Sequence, residues 1–204
     1  MGGIKLVNGS DLELLTDSNS ILILVDYQPV MFNGIESGDK ETIKNNAIFA
    51  AKAASILDVP VVLSSINPMS NGNVFPELTK IVPEVFARKV PIFDAFEDHR
   101  TYNAVKVNGR SKIVIAGLWT SISFTYTALH AKRKNYDVYA LIEAAGDSSV
   151  EAHNIGVNRM VQAGVIPLTL ESLVSEWMHD WDNTKSSELV NEVYNTYVSM
   201  IGLR

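Results

Sequence analysis

The sequence predicts a doubly wound α/β fold, a parallel sheet with helices on both faces. Two patterns carry that reading. Its strand-like stretches are short, continuous apolar runs, not alternating ones, which means burial on both faces of a sheet. Helical patterns separate these runs almost throughout, the order expected of parallel strands joined by right-handed crossovers. The chain's 204 residues, 47% hydrophobic and 20% charged, suffice for one such domain without disulfides or a structural metal.

The first strand is expected over residues 21–26 (ILILVD), an apolar run ending in a carboxylate. Further strands are expected over 60–66, 86–90, 112–119, 137–145 and 165–170. Residues 41–57 carry apolar side chains at Ile43, Ala47, Ala50, Ala51, Ala54 and Leu57, the stripe of an amphipathic helix. Helices are also expected over 99–107, 123–134 and 150–163, with Gly164 as the C-terminal stop of the last. A C-terminal helix over 183–201 presents Leu189, Val193, Tyr197, Met200 and Ile201. There is no internal repeat and no low-complexity tract, so a single domain over 1–204 is expected, with its core at about 18–182.

The formal net charge of −6 argues against nucleic-acid binding. The densest basic run, Lys132, Arg133 and Lys134, reads as the solvated end of a helix, where cations oppose the helix dipole. No apolar run approaches the roughly 20 residues of a membrane helix. The N-terminal stretch has no signal-peptide pattern, and Leu6 stands where myristoylation would want Ser or Thr. A cytoplasmic location is the expectation. The absence of cysteine excludes a thiolate zinc site, an iron–sulfur cluster and a cysteine nucleophile.

In open α/β sheets ligands bind beyond the carboxyl ends of the strands, where strand order reverses. The informative residues are therefore Asp26, Tyr27 and Gln28; Ser64, Ser65 and Asn67; Arg88 and Lys89; residues 119–123; and residues 144–147. No GxGxxG, P-loop or GxSxG motif occurs at these ends. Asp26 reads either as a reactive carboxylate or as a turn residue. Lys89 reads as a site cation or a surface one. Ser123, where the fourth strand turns into a helix, reads as a site residue or a simple N-cap.

Taken together, ILILVDYQ at 21–28, KNN at 44–46, VPVVLSS at 59–65, GNVFPEL at 72–78, KIVIAGLWTSISFTYTAL at 112–129, AHNIGVNRMVQAG at 152–164 and EWMHDW at 176–181 resemble the isochorismatase-like cysteine hydrolase superfamily, in particular its YcaC-like branch. The resemblance covers about residues 18–182. It implies a three-layer α/β/α isochorismatase-like hydrolase fold with a six-stranded parallel sheet in the order 3-2-1-4-5-6. It also implies a site made of an Asp after the first strand, a Lys or Arg after the third and a Cys after the fourth. Asp26 matches the first position. Lys89 matches the second, with Arg88 as the alternative if the register shifts by one. Ser123 falls where the family has its cysteine. The resemblance further implies a non-proline cis peptide between Trp119 and Thr120, and an oxyanion hole formed by amides near Ile122 and Ser123.

The departure lies at the centre of the chemistry, since a hydroxyl is far harder to deprotonate than a thiol. A second departure is Ser121, where the family has Asp or Glu. Three readings of Ser123 stay open: an engineered replacement of a single native cysteine; a natural serine working with Lys89, or beside Asp26 as general acid; or a catalytically silent relative that binds a small ligand or only assembles. In the enzyme readings, the resemblance implies hydrolysis of a small amide-type (non-peptide C–N) or related acyl substrate, without a cofactor.

A metal is not expected. The nicotinamidase-type ligands after the second strand are replaced here by Ser64, Ser65, Ile66, Asn67, Pro68 and Met69, with no histidine before His99. His99 reads as solvated, His130 as two turns from Ser123, and His153 and His179 as structural. Phe93, Phe96 and Trp119, with Gln28, are candidates for a small-molecule pocket, or for core and interface packing. Relatives assemble as tetramers to octamers, so a homo-oligomer is expected, with the C-terminal helix and the Trp177–Trp181 pair as candidate contacts.

Overall fold

The computed structural model describes residues 13–88, 91–182 and 184–195. Among these, six parallel strands form one sheet in the order 3-2-1-4-5-6: β1 Ser20–Val25, β2 Val61–Ile66, β3 Val85–Arg88, β4 Lys112–Gly117, β5 Asp137–Leu141 and β6 Ile166–Leu168. β1 lies between β2 and β4. Leu24 is in register with Leu63 on one side and Ala116 on the other. The sheet order therefore reverses beside β1, which opens the crevice at its carboxyl end.

The unbroken apolar runs are explained by two cores. Leu22, Leu24, Leu63, Val114, Ala116 and Leu141 face one layer. Ile21, Ile23, Val25, Ile113, Ile115 and Ala140 face the other. Successive strand residues point to opposite faces, so a strand covered on both must be apolar at every position. The first layer is built by α1 (Pro29–Asn33), α2 (Lys40–Ile56), α3 (Pro68–Asn71), α4 (Pro76–Thr79), α8 (Leu170–Met178) and α9 (Ser186–Leu189). The second is built by α5 (His99–Lys106), α6 (Thr125–Arg133) and α7 (Val150–Gln162). Side-chain caps start four of these helices where the sequence supplies a short polar residue: Asp39 for α2, Asp98 for α5, Ser149 for α7 and Thr169 for α8. Gly164, at φ +80°, follows α7 in the left-handed conformation expected of a helix stop.

The expected strands and long helices are present, shifted by a few residues at their ends. α8 was not anticipated; its apolar residues Leu170, Leu173, Val174, Trp177 and Met178 are all buried. The expected helix over 183–201 appears as α9 and a π-helical turn, Val190–Tyr194; residue 183 and its end beyond 195 lie outside the described residues. Leu189 and Val193 are buried in this chain's own first core, so that part of its apolar stripe is used internally. Trp177 is internal too, its indole N–H donating to Ser20 Oγ at 2.7 Å. Trp181 is exposed.

Candidate active site

Asp26 follows β1 directly, with φ +61°. That left-handed conformation is uncommon outside glycine, and Asp tolerates it better than most residues. The side chain is fully buried. Its amide donates to Ser64 O at 2.9 Å, which ties the turn to β2.

Arg88 is the last residue of β3, two strands away from β1. Two strand spacings come to about 10 Å, a distance that calls for a long side chain. Arg88 reaches across β2. Its Nη1 donates to Ser64 Oγ, its Nη2 lies 2.7 Å from both Asp26 Oδ1 and Oδ2, and its Nε donates to Ile92 O at 2.9 Å. The ion pair is wholly enclosed, with the two side chains 1% and 0% exposed.

Ser123 arrives from the other neighbour of β1. β4 ends at Gly117, where a Cβ would lie 2.9 Å from Val25 O, so only glycine lets the two strand ends approach so closely. A π-helical turn, Thr120–Phe124, then leads into α6. Ser123 is buried in that turn, and its hydroxyl hydrogen-bonds the Asp26 carboxylate. The Ser123 carbonyl accepts from Thr127 Oγ1 at 2.7 Å, and the same Oγ1 accepts from Ala95 N at 3.0 Å. Asp26 is pushed up to about 6 from an ordinary 3.8. Burial raises it most, against the Arg88 charge and the hydrogen bonds from Ser123 and Arg88.

The structure thus brings together Asp26, Ser123 and Arg88, the register alternative for the cation. Lys89 lies outside the described residues. The other fully buried cation, Lys112, is at the opposite end of the sheet, the first residue of β4, within 3.6 Å of both Glu13 and Asp137.

Several expectations are corrected. The cis peptide joins Leu118 to Trp119, one bond before the expected Trp119–Thr120. The Thr120 amide donates to Gly146 O at 3.0 Å and the Ile122 amide to Trp119 O at 3.1 Å, so neither is a free oxyanion donor. Gln28 is a strap, not a pocket residue. Its side chain donates to Ile66 O and Gly72 O at 3.0 and 2.6 Å and accepts from Ile66 N at 2.8 Å, which uses both ends of the amide. Phe96 belongs to the second core, edge-on to Tyr102 and His130. Phe93 is about half exposed. Trp119 is bolted to α1, its indole N–H donating to Met31 O at 2.9 Å.

Two contacts escaped the sequence reading because only the fold creates them. His153 Nδ1 lies 2.8 Å from Thr120 Oγ1, and His130 Nδ1 lies 2.7 Å from Asp94 Oδ2. His153 titrates below its ordinary value because burial disfavours its charge, against the pull of Asp147. Among the described residues no group of His, Asp and Glu is arranged to hold a metal ion, and no helix is long and apolar enough to cross a membrane.

Residues 20–172 match the isochorismatase domain, a span that contains every residue of the cluster. The chain belongs to the isochorismatase family. This family member is 25% identical to the probable hydrolase YcaC of Escherichia coli K12 over 171 residues, 83% of this chain and 82% of that protein. It is also 25% identical to the secreted isochorismatase effector Isc1 of Phytophthora sojae over 190 residues, 87% of each. The crystal structure of the Escherichia coli YcaC gene product, described as an octameric hydrolase of unknown specificity, matches with a TM-score of 0.84 at 25% identity. That match covers 92% of this chain and 94% of that one. YcaC from Pseudomonas aeruginosa, solved with hexane-2,5-diol and covalent acrylamide, matches at 0.84 and 24% identity over 93% and 96% of the two chains. The chain is thus a YcaC-like member of a hydrolase family.

Proposed function

We propose that this isochorismatase-family protein hydrolyses a small amide-type or related acyl substrate, with Ser123 as nucleophile, Asp26 as proton acceptor and Arg88 as the cation that keeps Asp26 ionised. One observation carries this reading: a single buried carboxylate touches both the guanidinium and the hydroxyl. The role that the resemblance gave to Lys89 passes to Arg88, which makes the contact.

The steps balance. Asp26 takes the hydroxyl proton as Ser123 Oγ attacks the carbonyl carbon and the carbonyl π electrons move to oxygen. The tetrahedral intermediate collapses and breaks the C–N bond, and Asp26 returns the proton to the departing nitrogen. Water, deprotonated by Asp26, then cleaves the ester on Ser123 and restores the hydroxyl. Arg88 cannot itself supply a proton, because guanidinium does not ionise in proteins. Its work is to hold the carboxylate charged and aimed.

The test is ammonia release from a panel of small amides by the natural chain, Ser123→Cys and Ser123→Ala. The reading expects turnover by the first two and background from the third. No turnover of any amide or ester by the first two would overturn it.

A second reading is favoured by the enclosure of the trio, since Asp26, Arg88 and Ser123 are all buried: a silent relative that binds a small ligand or assembles. It expects saturable binding without turnover in both the natural chain and Ser123→Cys. The octameric assembly of the Escherichia coli relative supports a homo-oligomer here, which a monomer in analytical ultracentrifugation at micromolar concentration would refute.

A further inference from the structure

The segment after β5 grips the turn that carries Ser123 at four points. Gly146 O accepts from Thr120 N at 3.0 Å. Asp147, fully buried, accepts from Ser121 N through Oδ2 at 2.6 Å. His153, on the first turns of α7, meets Thr120 Oγ1 through Nδ1 at 2.8 Å. Gly156, one turn further along, packs directly on the turn: a Cβ there would lie 2.8 Å from Ser121 Cα and 3.0 Å from Thr120 C.

Of these four, the His153 contact is the only one made between two side chains, and it is far from incidental. Thr120 is fully buried, so its hydroxyl needs a partner. The Thr120 carbonyl is held from inside the turn, by Thr125 Oγ1 at 2.6 Å. Ile122 N and Phe124 N both converge on Trp119 O, at 3.1 and 3.4 Å. A rotation of residue 120 would therefore be passed through these shared acceptors to residue 123. Asp147 is the charged group that faces His153, and it also holds the next residue of the same turn.

We propose that His153 is a positioning residue for Ser123, acting through Thr120. The proposal deepens the hydrolase reading and rests on it for the use made of Ser123. The chain contains no cysteine, so Ser123→Cys places a single thiol at the position to be reported on. The alkylation rate of that thiol by iodoacetamide measures its placement without any substrate.

In the Ser123→Cys background, His153→Ala is expected to slow alkylation at least about tenfold. His153→Asn, whose amide falls where Nδ1 was, is expected to stay within about twofold of the parent. His153→Gln, which places its amide further out, is expected to behave like Ala. Thr120→Val keeps the shape and loses the hydroxyl. It is expected to match His153→Ala, and the double variant to be no slower than either single one. Equal rates in the parent, His153→Ala and Thr120→Val would overturn the proposal. So would Asn performing no better than Ala, or a parent thiol that does not react at all. If His153→Ala fails to fold, Thr120→Val and the Asn–Gln comparison still decide. Loss of amide turnover with this pattern intact would remove the hydrolase reading and leave the positioning role standing.

Discussion

A single nitrogen of Arg88 serves both carboxylate oxygens of Asp26, with Nη2 2.7 Å from each. The guanidinium does not use its two-pronged edge on the carboxylate. Nη1 is spent on Ser64 and Nε on Ile92 O. Arg88 is thus as much a cross-tie over β2 as a counter-ion, and its replacement should show in both stability and activity.

Arg88→Met is expected to cost about 3–5 kcal/mol, because it leaves a buried carboxylate without its partner. Combining it with Asp26→Leu should recover much of that loss, since a matched apolar pair carries no unpaired charge. Arg88→Lys keeps the charge but cannot reach three acceptors in one plane, so it should fall between. Denaturant unfolding of the four proteins checks the order. A neutral Arg88→Met would show that the pair is not sealed from water.

The pH dependence separates a base from an acid. With Asp26 pushed up to about 6, its ionised form grows as pH rises through 6. If Asp26 accepts the proton of Ser123, kcat/KM falls about tenfold per unit below pH 6 and levels off above it. If Asp26 acts as general acid, the limb is reversed. In folding, the raised value means that stability from this group is full below 3.8 and lost as pH rises towards about 6. Relative to Asp26→Asn, which has no such titration, the natural chain should therefore lose ground across that window. Rate profiles and unfolding at several pH values test the two claims separately.

The fold was legible because its determinants are local: apolar runs, helical stripes and caps. Which cation serves the site was not. The end of β3 can be placed from sequence only to within a residue, and a shift of one residue reverses the face a side chain takes in a strand. Arg88 and Lys89 are adjacent, so only the three-dimensional reach over Ser64 selected Arg88. The exposed-pocket reading of Gln28 failed for a related reason. A polar residue after a strand looks the same whether it faces ligand or backbone, and here Ile66 and Gly72 claim it. α8 was missed although Thr169 caps it, because its apolar residues continue almost directly from the last strand.

Gly156→Ala should lower stability by about 1–3 kcal/mol. The atoms that a new Cβ meets at 2.8–3.0 Å are backbone atoms of Ser121 and Thr120 and cannot rotate away. Turnover should fall by more than the stability loss explains, because the displaced segment carries Ser123. Thermal unfolding and kcat measured on the same sample check this.

Ser123→Cys should raise amide turnover at least about tenfold, since a thiol gives up its proton to Asp26 far more readily than a hydroxyl. Steady-state ammonia release compares the two. Equal rates would mean that deprotonation of residue 123 does not limit the reaction.

The most direct measurement is intact-mass analysis of Ser123→Cys quenched during turnover of a small amide, with Asp26→Asn/Ser123→Cys alongside. The account predicts an acyl adduct mapped to residue 123 in the first protein and its absence in the second. Turnover without any adduct at residue 123, or an adduct that forms equally well without the Asp26 carboxylate, would contradict it.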